Sequence, residues 1–287
     1  MRGAAVAALA AAWLAGCAVA PPAAQAPGRG PGPQTQGHIP PFARDPYAPF
    51  SRQAAVQIAL GEWRAFRQPV KYPGTELPED EEREDGLWQR VGLYWWLGLD
   101  PSWRESGWTG IHDENGRVFP ADRDGFYAWS AVFISYVMRM AGAGSSFPYS
   151  MTHADYIDAA ARRDPGVALT AERVTNYVPQ SGDLICLWRG RTPVTFDELP
   201  VQRFPGHCDI VVGRKGGELD VIGGNVDNAV TMKPIPIAPD GRLVGPDGVV
   251  LDPDHHWFVV LKVLYRGEGT APPARVAAGS AVRRGRS

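Results

Sequence analysis

The chain has 287 residues, 44% hydrophobic and 21% charged, and its formal net charge is -2. That length allows one large domain or two small ones, with enough apolar residues for a buried core. The balance of 29 Lys+Arg against 31 Asp+Glu argues against a dedicated nucleic-acid binder, and three cysteines exclude a disulfide-dense scaffold or a four-cysteine metal site.

Residues 1–16, MRGAAVAALAAAWLAG, have one Arg followed by small apolar residues. This is the layout of a signal peptide, and the apolar run is too short to span a membrane comfortably. The segment ends Leu14-Ala15-Gly16-Cys17, which resembles the lipobox of bacterial lipoproteins. The resemblance implies cleavage before Cys17, acylation of that residue and anchoring to a membrane rather than spanning of it. Ala18, where Asp would imply retention in the inner membrane, implies an outer-membrane lipoprotein facing the periplasm. Residues 17–49 carry nine prolines and no periodic apolar pattern, so they read as a flexible tether. Residues 267–287 read as a loose tail, which leaves 50–266 as one domain.

The first half of that domain reads helical. Ser51 is placed to cap a helix whose inner face carries Ala55, Ile58, Ala59 and Trp63. Residues 76–85 hold seven acids and one Arg, and read as an exposed loop. A second helix is expected over about 86–98. A third is expected to start near Asp124 as N-cap and to stop at Gly142, and a fourth covers about 151–163. The second half reads as strands: Asp183–Trp188, Cys208–Val212, Leu219–Ile222, Val230–Ile235 and Trp257–Leu264, with Pro/Gly-rich insertions at about 190–206 and 238–256. Helices followed by strands give an α+β fold, most simply helices packed on one side of an antiparallel sheet.

Three residues stand in an order that suits acyl transfer. Ser130 lies early in an apolar helix, His207 leads into a strand, and Asn225 follows Gly223-Gly224. A nucleophile, a general base and an orienting polar group on separate elements are the minimum for that chemistry. A helix N-terminus favours negative charge on the nucleophile. Asp209 shares a strand face with His207 and can bond its ring or a substrate amine. Asp209, Tyr127 and His153 are candidate binding residues, although a surface position suits His153 better than the lining of a cleft.

The run Trp129-Ser130-Ala131-Val132-Phe133-Ile134-Ser135, then Ser181-Gly182-Asp183-Leu184, then the Gly206–Gly213 run GHCDIVVG, then Gly223-Gly224-Asn225 resembles the papain-like NlpC and CHAP families. These are bacterial cell-wall peptidases and amidases, with a Cys at a helix start, a His on a strand and a polar residue on the next strand. The finer pattern resembles a bacterial family catalogued as domain of unknown function 2272. The resemblance implies a papain-like fold and a site at Ser130, His207 and Asn225, with peptidoglycan as the partner. Ser130 stands where those families carry Cys, and a hydroxyl depends wholly on its base for activation. A Ser–His–Asn hydrolase and a catalytically inactive peptidoglycan-binding or scaffold lipoprotein therefore both remain open. Cys208 is a poorer nucleophile, because alternation turns it away from His207.

Cys186 reads as a reduced core residue, with a Cys186–Cys208 disulfide as the periplasmic alternative. Asp122-Arg123-Asp124-Gly125 lacks the Glu of a calcium loop, and His255-His256 beside Asp252 and Asp254 lacks further ligands, so no metal is expected. No phosphate or dinucleotide loop is present in the sequence, and no cofactor is expected. Trp88, Trp95, Trp96, Trp103 and Trp108 could stack on sugars but suit a core better.

Overall fold

The structure, a computed structural model, describes residues 39–44, 48–77 and 81–265. Cys17, the tether up to residue 38 and the tail from 267 lie outside the described residues. The domain is α+β. A one-turn helix α1 (Pro41–Arg44) precedes α2 (Arg52–Ala65), α3 (Leu87–Gly98), α4 (Ser130–Met140) and α5 (His153–Arg162). The strands follow as β1 (Leu169–Arg173), β2 (Leu184–Trp188), β3 (Gly206–Lys215), β4 (Glu218–Val226), β5 (Ala229–Pro236) and β6 (Trp257–Val263). They form one antiparallel sheet in the order β1-β6-β2-β3-β4-β5.

The helical layer is built around groups that propensity alone does not place. Ser51 caps α2, its Oγ accepting from the Ala54 N–H at 3.0 Å. Val56, Ala55 and Ala59 face the core, and so does Glu62. The Glu62 carboxylate accepts from Arg90 Nη1 at 2.7 Å and the Tyr94 hydroxyl at 2.6 Å, both on α3, and from the Tyr136 hydroxyl of α4 at 3.1 Å. One buried charge thus bonds three helices together, and these bonds offset the cost of taking it out of water. At Gly98 a β-carbon would lie 2.5 Å from the Val132 carbonyl oxygen, so the missing side chain sets how closely α3 approaches α4.

The third helix differs from expectation. Residues 121–127 form a 3-10 helix, the chain breaks at Ala128 and Trp129, and α4 begins at Ser130. Asp124 therefore does not cap an α-helix. The break is held in place by Trp129, whose indole N–H donates to the Glu82 carboxylate. Glu82 is buried in a single 3-10 turn, a correction to reading 76–85 as wholly exposed.

Helices cover one face of the sheet. Leu184, Cys186, Cys208, Ile210, Ile222, Val259 and Leu261 join the helix-side core. Ile185, Leu187, Val211, Val221, Ile235, Trp257 and Val260 form a second core on the opposite face, with Leu243 and Val244 packed on it. The 238–256 insertion thus covers the back of the sheet rather than merely interrupting it. Strand β1, which the apolar pattern did not reveal, pairs at the edge with β6 and buries only Leu169 completely.

The Ser181–Leu184 motif clamps helix to sheet. Asp183, wholly buried, takes the Arg52 guanidinium at 2.6 Å, the Tyr177 hydroxyl at 2.9 Å and the Val263 N–H at 3.0 Å. Gly182 has φ +86, and a β-carbon there would sit 2.8 Å from Arg52 Cβ. The motif thus has a packing role.

Cys186 and Cys208 face each other across β2 and β3 and form a disulfide, their Cα atoms 4.1 Å apart. The reading of Cys186 as a reduced core residue is thus corrected: an antiparallel pair brings opposed side chains close enough to bridge. The loop it closes has a sequence separation of 22. Such a loop restricts the unfolded chain by about 3 kcal/mol. Replacing both cysteines with Ala should lower unfolding stability by about that amount in urea titrations. Equal stability of oxidised wild type and the double variant would contradict the assignment.

Candidate functional site

Ser130 is the first residue of α4, so its hydroxyl sits where the helix leaves N–H groups unbonded. Only 6% of its surface is exposed. The group within bonding reach is not the expected His207 but His153, the first residue of α5, with Nε2 2.9 Å from Ser130 Oγ. His153 is buried, which corrects the surface reading of that residue.

Tyr156 locks the two helix starts together. Its buried hydroxyl lies 2.5 Å from the Ala131 carbonyl oxygen on α4 and 2.6 Å from that of Ser150, and it meets Ser135 Oγ at 2.7 Å. One phenol thereby fixes the first turn of α5 against the first turn of α4, where Ser130 and His153 meet. Tyr156 was not among the sequence candidates, because a Tyr on an amphipathic helix reads as core. The signal available was its spacing of three from His153, which places both on one helix face.

His207 is the second residue of β3, with none of its surface exposed, and its ring centre lies 5.2 Å from that of His153. Its Nε2 bonds Asp209 Oδ1 at 2.8 Å. Alternation along the strand brings ring and carboxylate to one side. The other carboxylate oxygen pairs with Lys233 Nζ of β5 at 2.6 Å, and that ammonium lies 5.2 Å from the Trp257 ring centre. The order in space is Ser130, His153, His207, Asp209, Lys233.

Two glycines make room for this row. A β-carbon on Gly223 would fall 2.0 Å from Asp209 Oδ1 and 2.9 Å from His207 Nε2. One on Gly224 would fall 2.5 Å from Phe133 Cβ on α4. The Gly-Gly pair thus lets β4 pass between the charged row and the helix. Asn225 takes a left-handed conformation, φ 53, where the β4–β5 register shifts. Asp227 and Asn228 then turn the hairpin with φ 51 and 55, as a two-residue type I′ turn requires. Asn225 has a clear backbone role here. The bond that orients His207 comes from Asp209, which corrects the expectation that Asn225 would hold the ring.

The remaining candidates lie elsewhere. Tyr127 stacks on Phe119 at 3.7 Å and meets Trp108 edge-on at 5.6 Å, within an aromatic cluster that also includes Trp95. Cys208 points into the helix-side core, while the cross-strand partners of His207 and Asp209 belong to the opposite core. His255 bonds Asp252 at 2.8 Å and His256 stacks on Trp188. Among the described residues, no three His, Cys, Asp or Glu side chains converge as a metal site.

Electrostatics set the protonation of the row. Burial would raise the Asp209 pKa, but the Lys233 ammonium and the bonds from His207 and Lys233 outweigh burial and hold it below the usual carboxylate range. Burial, with the charge of Arg189, lowers His207 to about 3 despite the opposing pull of Asp209. Burial first, then the His207 and Arg189 charges, lowers His153 well below its ordinary value. Both imidazoles are neutral at pH 7. Clusters of groups displaced this far are concentrated at functional sites.

Because both histidines resist protonation when folded, the unfolded chain binds more protons once pH drops below about 6.5. Stability is therefore full above that value and falls as pH approaches the His207 value of about 3. The loss reaches about 1.4 kcal/mol per pH unit for each histidine. Urea midpoints taken at descending pH should fall, and His207→Gln should make the slope shallower. An unchanged slope in that variant would reject the assignment of a buried neutral His207.

No curated protein and no solved structure matches the chain. The model of one family, described as "Uncharacterized protein conserved in bacteria (DUF2272)", matches residues 82–263. The match opens at the residue that holds Trp129, ends with β6 and contains Ser130, His153, Tyr156, His207, Asp209 and Lys233. Covering more than half of the chain and every residue of the site, it makes the chain a member of the DUF2272 family.

Proposed function

We propose that this protein is a cell-envelope lipoprotein, anchored through Cys17 at the outer membrane and facing the periplasm. Its papain-like domain would hydrolyse amide bonds in peptidoglycan. The observation that carries the chemistry is the 2.9 Å contact between Ser130 Oγ, on the first turn of a helix, and His153 Nε2. A hydroxyl has no accessible anion at neutral pH, so a base within hydrogen-bond reach is its main requirement. The lipobox-like Leu14–Cys17 segment supports the location. The Cys186–Cys208 disulfide is consistent with an oxidising compartment. The substrate class rests on the resemblance to NlpC and CHAP enzymes and on that location.

In this reading Ser130 Oγ attacks the carbonyl carbon while its proton passes to His153 Nε2. The unbonded N–H groups of the first turn of α4, including that of Ser130, stabilise the tetrahedral oxyanion. His153 then gives the proton to the leaving amine, and water releases the acyl group from Ser130 by the same steps in reverse. Burial makes an imidazolium costly, so the proton arrives on His153 only as negative charge develops beside it.

A second reading, an inactive peptidoglycan-binding or scaffold domain, is favoured by the near-complete burial of Ser130 and the depressed basicity of both histidines. Digestion of purified murein separates the two. Hydrolysis predicts soluble fragments from the wild type, and a loss of at least about 100-fold with Ser130→Ala or His153→Gln, each variant keeping its circular dichroism. Retention on insoluble murein with no fragments released, unchanged by Ser130→Ala, would support binding and sink the hydrolase. A protein recovered only with a crosslinked protein partner would indicate a scaffold.

A further inference from the structure

The row from Ser130 to Lys233 leaves three buried polar atoms without a hydrogen bond, and while Asp209 Oδ2 is met by the Lys233 ammonium, Nδ1 of His153 and Nδ1 of His207 are not met by any group. Buried polar groups are almost always paired, so two orphans on neighbouring rings call for an explanation. Their hydrogen-bonding roles follow from the groups at either end. Lys233 holds Asp209 as a carboxylate, which only accepts. A neutral His207 bonded to it at 2.8 Å must therefore carry its proton on Nε2, leaving Nδ1 as a bare acceptor. If the Ser130 hydroxyl donates to His153 Nε2, a neutral His153 carries its proton on Nδ1 and offers a donor. With Ser130 as the donor, one orphan is a donor and the other an acceptor. The ring centres are 5.2 Å apart. That spacing leaves facing ring nitrogens within the roughly 3 Å of a hydrogen bond once the rings turn toward each other.

We propose that His153 and His207 form a two-imidazole relay, in which Asp209 fixes His207 as the Nε2–H tautomer and His207 Nδ1 accepts from His153 Nδ1–H. This leaves His153 Nε2 free to take the Ser130 proton. The catalytic consequence rests on the hydrolase reading above, whereas the tautomers rest on the bonds of His207 to Asp209 and of Ser130 to His153. His153 is the base, and His207 and Asp209 are positioning residues that act through it. During attack a single proton moves from Ser130 Oγ to His153 Nε2. The His153 Nδ1–H stays in place and bonds more strongly to His207 as the ring becomes cationic. No proton needs to reach Asp209, so its ion pair with Lys233 persists throughout.

The test is nitrogen NMR of the full-length mature chain in detergent, labelled with 15N-histidine at neutral pH. Signals are assigned by their loss in His153→Gln and His207→Gln. The expected result is a protonated Nε2 with bare Nδ1 on His207, and the reverse on His153. Asp209→Asn should shift the His153 nitrogens as well as those of His207, which a purely structural carboxylate would not do. If that variant does not fold, loss of the His207 ring in His207→Gln should shift the His153 Nδ1 signal instead. A His153 protonated on Nε2, or a His207 protonated on Nδ1, would overturn the relay. The expected tautomers without murein cleavage would keep the relay and reject the hydrolase, and cleavage with the opposite tautomers would do the reverse.

Discussion

The ion pair between Asp209 and Lys233 is the interaction on which the site depends. Both side chains are out of water, where each offsets the cost of burying the other's charge. With Lys233 in place the carboxylate persists and can hold the His207 ring at 2.8 Å. Remove either partner and the other becomes an uncompensated buried charge, a defect that commonly costs 3–5 kcal/mol. The three residues come from β3 and β5, with β4 between them, so the ion pair also spans the middle strand of that half of the sheet. Gly223 on β4 allows this span, because any side chain there would occupy the position of the carboxylate.

The helical side meets the same need with different chemistry. Glu62 joins α2, α3 and α4, Glu82 holds Trp129 immediately before Ser130, and Tyr156 joins the starts of α4 and α5. Each is a polar group inside an apolar layer. Apolar packing tolerates small slips between helices, whereas a hydrogen bond fails beyond a few tenths of an ångström. The polar contacts therefore fix where Ser130 sits, and the surrounding apolar core supplies most of the stability.

Much of the fold was legible in the sequence because it follows from local chemistry. Ser51 as a cap, the run of helices and five of the six strands all carry periodic or capping signals. Strand β1 escaped because LTAER at a sheet edge buries one residue and has no alternation to read. The late start of α4 escaped because Trp129 is held by Glu82, a contact 47 residues away in the chain. At the site, Ser130, His207 and Asp209 were legible from order and alternation. His153 was visible only as a possible lining residue, since its partnership with Ser130 depends on how α5 docks on α4. The role given to Asn225 went to Asp209 because a left-handed residue at a register shift serves the backbone.

The Cys186–Cys208 bond lies on one face of β3, and the His207–Asp209 pair begins from its other face. Strand pairing alone is reversible, and a slip by one residue would exchange the two faces. A covalent tie between opposed residues removes that freedom. It converts the choice of face from a matter of packing into a fixed property of the oxidised chain. The same atoms in a reducing compartment would keep the ladder but lose this safeguard. The environment that oxidises the cysteines would then also determine which residues β3 presents to His153.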